Sequence, residues 1–503
     1  MNGPNSKGFR LLEVRLGREH FPVSEGHGSA RGEGAKESRH LNQVTLVVGK
    51  NGSGKSRLLA AIAEGFGALN GRRSRLREPI ALRYEIDGQA CELAVDKGAT
   101  HAVLNNQRIT SSLLPGPAAI LAVTASAFDK FPLPRAEPST SFKPQRLDTR
   151  SSPYLYFGLK DARGRVSAKA GVIRALEKLF DASGEEAIRR KRVADVFRYL
   201  SYRPQVEVVF LWTRRGRLLL NSLYQLTSAD ELRRYFEGLR RGQSETSRPT
   251  TPNYMFEEEF AFDEMLEALH SMLPMSTRDR VRLVADFRGS NEIGNSDLRM
   301  ARLLGRAGLL EMTDVNLQDL NGQTFGITEA SSGQLSIFVT MLGIASVIQD
   351  NCLVLIDEPE ISLHPEWQFD YVTRLMQAFE AYTGCHFVIV THSPTLVAGS
   401  AGLDLEIVDL DTRGEQIVEK PRGKSADQVL LETFGVVSKD NLYLRELLVT
   451  ALRAAEDGDL GDSALNQLFA LLQSVKAELP AADSARELIE RLINLRLRIG
   501  EGA

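Results

Sequence analysis

A short apolar run, Val44-Thr45-Leu46-Val47-Val48, leads directly into Gly49-Lys50-Asn51-Gly52-Ser53-Gly54-Lys55-Ser56. Behind that turn, Leu58, Leu59, Ile62 and Phe66 recur at helical spacing. No other feature narrows the fold as much. A continuous β-branched run is the kind of strand that lies inside a sheet covered on both faces. The turn matches GxxxxGK[ST]. Its glycines let successive backbone N–H groups face a phosphate without Cβ obstruction, and the following helix presents its positive end. Gly49, Asn51, Gly52, Ser53 and Gly54 form the cradle, Lys55 can reach the β- and γ-phosphates, and Ser56 can coordinate Mg²⁺. Strand before and helix after are the context this turn requires. The chain is read as an α/β protein that binds a nucleoside triphosphate.

A second half-site lies far along the chain. Leu353-Val354-Leu355-Ile356-Asp357-Glu358 is an apolar strand ending in two acids. Asp357 is placed to hold Mg²⁺, directly or through water, and Glu358 to orient or deprotonate an attacking water. Upstream, Ala330-Ser331-Ser332-Gly333-Gln334 is a small-residue turn opening a helix over residues 335–348. Downstream, His392 ends a strand over residues 387–390, where it could contact a γ-phosphate.

In this order the motifs resemble the ABC-type ATPase family over residues of about 9–150 and 320–420. Ala330–Gln334 resembles the signature LSGGQ, with Ala for Leu and Ser for the first Gly. The run Asp357-Glu358-Pro359-Glu360-Ile361-Ser362-Leu363-His364-Pro365 is similar to the SMC-like, RecF-like and OLD-like branch rather than to transporters. The resemblance implies a P-loop ATPase head with ATP and Mg²⁺ as cofactors and Glu358 and His392 as catalytic residues. It also implies a head-to-head homodimer, higher oligomers being open, in which Ser331, Ser332, Gly333 and Gln334 meet the nucleotide held by the partner. One helix N-terminus cannot supply both sides of a single nucleotide. The sequence departs from the pattern at the Q-loop, where Ser126-Ala127-Phe128-Asp129-Lys130-Phe131 has no Gln. Asp129 is either a further metal ligand or a capping residue.

The 503 residues exceed one compact core and divide into four segments. Residues 1–156 form an N-terminal lobe and 324–422 a C-terminal lobe of the head. Residues 157–323 form a mainly helical insertion with one strand over 206–212, and 423–503 a helical tail suited to holding a partner. Lys55 and Ser332 are 277 residues apart, far more than a transporter head needs. Residues 82–86 and 90–95 around Asp87-Gly88 read as a hairpin, residues 405–408 and 416–419 as another, and 24–38 as a loop. The net charge of −3 conceals a basic middle: residues 151–250 carry 20 Lys+Arg against 11 Asp+Glu, a net of +9. The last 103 residues carry 12 against 19, a net of −7. Arg189, Arg190, Lys191, Arg192, Arg214, Arg215, Arg217, Arg233, Arg234, Arg240 and Arg241 make the insertion a candidate for DNA or RNA contact. The competing reading is a solvated surface with arginines paired to local carboxylates. Nearby aromatic residues, Trp212 and Phe236 among them, read as core. Three separated cysteines without a CxxC pair exclude a disulfide framework or zinc ribbon. With no apolar run of about 18 residues and no signal-peptide core, no membrane association is expected, and the location expected is cytoplasmic.

A looser resemblance narrows the function. Phe128-Asp129-Lys130-Phe131-Pro132, Tyr154-Leu155-Tyr156-Phe157-Gly158-Leu159 and residues 425–435 look like PtuA-type ATPases of bacterial anti-phage Septu and retron systems. This implies a sensor or scaffold in a defence complex that controls an HNH nuclease partner of the PtuB type. An internal TOPRIM nuclease is disfavoured, because the two DxD runs, Asp409-Leu410-Asp411 and Asp457-Gly458-Asp459, sit in a hairpin and a helix break. The alternatives are a DNA-repair or chromosome-maintenance ATPase acting directly on DNA, and a scaffold that binds ATP without turning it over.

Overall fold

The computed structural model describes residues 8–24, 42–49, 52–70, 78–133, 153–161, 164–167, 169–181, 186–222, 227–241, 260–288, 293–400, 403–410, 417–418, 425, 427–428, 431–432, 441–457, 465–479 and 483–501. Asn51 and nearly all of the 24–38 loop lie outside the described residues.

The centre is a seven-stranded sheet. Its strand order is Ile417–Val418, Glu406–Asp409, Gln43–Val48, His386–Val390, Leu353–Asp357, Ile120–Thr124 and Tyr154–Phe157. Every pairing is parallel except the edge hairpin of the first two strands. The strand of the phosphate loop, the strand leading to His392 and the strand ending in Asp357 are therefore neighbours. Val47, Val390 and Asp357 are in register, so three motifs distant in sequence emerge together at the carboxyl edge, where open α/β sheets bind ligands.

Alternation within the apolar runs feeds two cores. Leu46, Val48, Val354, Ile356 and Ile389 join one cluster; Val47, Leu353, Leu355, Val388 and Val390 join the other. The second cluster lies beneath the phosphate-loop helix, Lys55–Gly67, and a six-stranded antiparallel sheet formed by Glu19–Pro22, Phe9–Leu16, Ile80–Ile86, Gln89–Asp96, Ala99–Leu104 and Gln107–Ile109. The expected hairpin is there, turning at Asp87 (φ 49°) and Gly88 (φ 78°). A buried histidine ties the two sheets together. The Leu11 N–H donates to His386 Nδ1 at 3.0 Å, His386 Nε2 lies 2.9 Å from Thr45 Oγ1, and the Thr45 hydroxyl donates to the Val23 carbonyl at 3.0 Å. This chain works only with a neutral ring carrying its proton on Nε2.

The insertion departs from the reading of one strand among helices. It holds four strands of a five-stranded antiparallel sheet, Ser276–Thr277, Arg280–Asp286, Tyr202–Trp212 and Leu310–Asp319, and Thr324–Gly326 at the start of the C-terminal lobe adds the fifth. Arg280–Asp286 alternates exposed Arg280, Arg282, Val284 and Asp286 with buried Val281, Leu283 and Ala285. Its charged outer face breaks the apolar run, so a search for continuous hydrophobic stretches passes over it. Helices still predominate, and Ala170–Asp181 and Glu186–Tyr199 pack on the helix Ser332–Ala345. Phe197 meets Phe338 edge-on at 5.0 Å. Insertion and head therefore share one hydrophobic core.

Trp212 and Phe236 are buried, as read. Arg217 pairs with Asp279 at 3.2 Å and Arg233 with Glu237 at 3.5 Å, so part of the basic surface is neutralised locally. Among the described residues of the tail, the helices Leu442–Glu456, Asn466–Glu478 and Ser484–Glu501 surround a small core together with Leu431. No helix among the described residues is long and apolar enough to cross a membrane.

Candidate nucleotide site

The phosphate loop leaves Val48 and turns through Gly49 (φ 149°), Gly52 (φ 87°) and Gly54 (φ 98°). A Cβ at Gly52 or Gly54 would meet nothing within 4 Å, so these positions border open space, and positive φ selects glycine there. Lys55 is buried and donates to the Gly49 carbonyl at 2.7 Å, which holds its ammonium across the mouth of the loop. The Ser53 hydroxyl is buried without a hydrogen-bond partner among the described residues. Ser56 Oγ donates to Asp357 Oδ1 at 3.0 Å across 301 residues of sequence.

Asp357 is almost fully buried, and its carboxyl is pushed up to about 7. Burial is the main cause; the Ser56 hydrogen bond opposes it, and Glu358, Asp129 and Glu360 add like-charge repulsion. Such a cluster is completed by cations. The paired hydroxyl and carboxylate are hard oxygen donors of the kind Mg²⁺ accepts, and Mg²⁺ usually takes its remaining ligands from water and substrate phosphates. Among the described residues no group of three or more His, Cys, Asp and Glu could hold a metal without such help. Ser56 and Asp357 therefore fit a nucleotide-bound Mg²⁺.

Glu358 has left-handed backbone (φ 48°), held by its N–H donating to the Val390 carbonyl at 2.9 Å. A non-glycine residue in that region costs roughly 1–3 kcal/mol, and such strain gathers where a side chain must be aimed. His392 Nδ1 lies 3.6 Å from Glu358 Oε1 and 3.1 Å from Glu360 Oε1. Glu360 was not among the residues singled out from sequence. Nothing in a lone Glu three places past Asp357 distinguishes it from a solvated acid, yet it is buried at the centre of this turn. Its Oε1 accepts from the Thr391 hydroxyl at 2.8 Å and the His392 N–H at 2.7 Å. Burial pushes its carboxyl up, against the lowering effect of those donors.

Asp129 is fully engaged by protein donors. Its carboxylate accepts from the Phe131 N–H and the Tyr156 hydroxyl, both at 3.1 Å, and pairs with Lys160 at 3.0 Å. These contacts anchor the loop between sheet and insertion, and the Asp129 carboxylate is close enough to Asp357 to repel its charge.

The signature turn caps its own helix. Ser331 accepts from the Gln334 N–H at 3.2 Å, and the Ser331 N–H donates to Gln334 Oε1 at 3.0 Å, a reciprocal capping box. Ser331 and Ser332 are exposed, while Gly333 is buried against the loop after Glu358. A Cβ at Gly333 would stand 2.6 Å from the Ser362 carbonyl oxygen.

Residues 44–398 of the chain match the family described as "AAA domain, putative AbiEii toxin, Type IV TA system". The chain belongs to this family. Its mainly parallel α/β sheet carries the phosphate loop, and C-terminal helices follow. Over 149 residues it is 27% identical to the "Retron Vc95 probable ATPase" of Vibrio cholerae serotype O1 biovar El Tor. That match spans 27% of this chain and only 27% of the curated relative's length. Among solved structures, an Smc head domain with an extended coiled coil from Pyrococcus furiosus, bound to the C-terminal domain of ScpA, is 12% identical, with a TM-score of 0.33 over 82% of this chain and 95% of that one. The SMC head domain from Thermotoga maritima is also 12% identical, with a TM-score of 0.31 over 79% and 94%.

Proposed function

We propose that this AAA-family chain hydrolyses ATP with Mg²⁺ and serves as the nucleotide-switched sensor and scaffold of an anti-phage defence complex. The observation that carries the ATPase reading is the Ser56–Asp357 contact, which closes the phosphate loop against the carboxylate strand and leaves Glu358 next in line. The defence reading is supported by the toxin–antitoxin description of the family and by the retron ATPase similarity. The finer resemblance to PtuA-type proteins supports an HNH nuclease partner held by the tail or the insertion.

In this reading Ser56 and Asp357 hold Mg²⁺, which, when bound, neutralises charge on the phosphates. The backbone of Gly52, Ser53 and Gly54 cradles the phosphates, and Lys55 offers its ammonium to the β- and γ-oxygens. Glu358 orients the attacking water and takes its proton, and His392 contacts the γ-phosphoryl group. Ser331, Ser332, Gly333 and Gln334 of one protomer complete the site of its partner, so hydrolysis requires a dimer. Catalysis is then positioning plus charge stabilisation. Replacing Glu358 by Gln keeps the shape and removes the base. The expected outcome is retained ATP binding, phosphate release lowered at least about a hundredfold, dimers that persist with ATP, and lost protection against phage. Phosphate release at the wild-type rate would remove Glu358 from the mechanism.

A further inference from the structure

Glu360 has no role in the mechanism above, yet the turn is built around it. We infer that Glu360 is a positioning residue that holds the His392 ring away from Glu358, leaving Glu358 free to handle water. This rests on the ATPase reading of the site.

Two carboxylates compete for one ring nitrogen. His392 Nδ1 is 3.1 Å from Glu360 Oε1 and 3.6 Å from Glu358 Oε1. Glu360 Oε1 accepts from two other donors, so the ring nitrogen that faces it carries the proton of their hydrogen bond. Were that proton given to Glu358, the base would be occupied and the ring drawn across the place of the attacking water. Glu360 prevents this from a fixed seat. Its Oε1 also accepts from the Thr391 hydroxyl and the His392 N–H, so side chain and backbone of the histidine are held by the same oxygen.

The other oxygen argues for a functional origin. Glu360 Oε2 is buried without a hydrogen-bond partner among the described residues. A carboxylate kept only to tie two turns together would have both oxygens satisfied, because an unpaired buried polar atom is costly. The bare Oε2 is the cost of a seat that keeps Oε1 aimed at the histidine.

Glu360→Gln is nearly isosteric and retains an acceptor for Thr391 and the His392 N–H, but not the charge facing Nδ1. The expected result is kcat for ATP lowered about ten- to a hundredfold, with KM changed less than about twofold. The double variant Glu360→Gln/His392→Ala should turn over no more slowly than His392→Ala alone, because Glu360 acts through that ring. Multiplicative losses in the double variant, or wild-type kcat in Glu360→Gln, overturn the proposal. A second readout does not depend on turnover. In protein labelled with ¹⁵N-histidine and assigned with His392→Ala, the His392 ring resonances should move in Glu360→Gln while those of His386 stay. Unmoved resonances would refute the placement even if the wild-type protein hydrolysed no ATP, an outcome that would itself refute only the ATPase reading.

Discussion

At the scale of single residues, two histidines on adjoining stretches of chain do opposite work. His392 is partly exposed and sits between acids, whereas His386 is fully buried, accepting from a backbone N–H at Nδ1. Burial, with Arg10 nearby, lowers the His386 pKa from 6.5 to about 3. The unfolded chain therefore binds an extra proton between those values. Stability from this site is intact above about pH 6.5 and declines as the pH falls toward 3, by at most about 1.4 kcal/mol per pH unit. His386→Gln should melt lower than wild type at pH 7.5, yet lose less on acidification to pH 4.5. Thermal denaturation at the two pH values checks this, and parallel losses in both proteins would discount the buried ring.

Among the elements, the signature helix Ser332–Ala345 carries the sharpest packing constraint. Gly333 lies against the backbone of Ser362, whose own φ of 66° leaves that loop little room to give. Gly333→Ala should cost about 1–3 kcal/mol through overpacking. Exposed Ser332→Ala should stay within about 0.5 kcal/mol of wild type. Thermal melts of the two variants separate these outcomes, and equal melts would mean that the helix start can slide. This close approach was not legible in the sequence. The pattern Ser-Ser-Gly-Gln announced a helix start, and the reciprocal cap confirms it, but which backbone Gly333 touches is set by a loop about thirty residues on. The strand Arg280–Asp286 escaped for a different reason, since its outward face is polar and only half of it reads as strand.

For the whole molecule, the shared core decides what can be removed. Leu176, Val193 and Phe197 of the insertion belong to the same buried cluster as Leu46, Val354 and Phe338 of the head. Excising residues 157–323 would uncover that face, and the remainder should aggregate rather than fold. The tail behaves otherwise: Leu448, Phe469, Leu472 and Ile489 belong to a cluster that shares no residue with the other two. Truncation of residues 425–503 should leave a monodisperse head melting within a few degrees of the full chain. Size-exclusion chromatography and circular dichroism test both deletions. A soluble, folded head lacking the insertion would contradict the common core.

The sequence by itself determined the α/β class and the phosphate loop. It also located the acids after Ile356 and the small-residue turn that opens the signature helix. All of these rest on local chemistry: glycines at positive φ, apolar runs of strand length, small residues at a helix start. Tertiary structure decided which distant groups meet. The register of three parallel strands set Ser56 beside Asp357 and His392 beside two glutamates. It also turned Glu360 from an ordinary acid into a buried one. Burial and close approach depend on what other segments bring to the same edge of the sheet, and spacing along one chain carries no record of that.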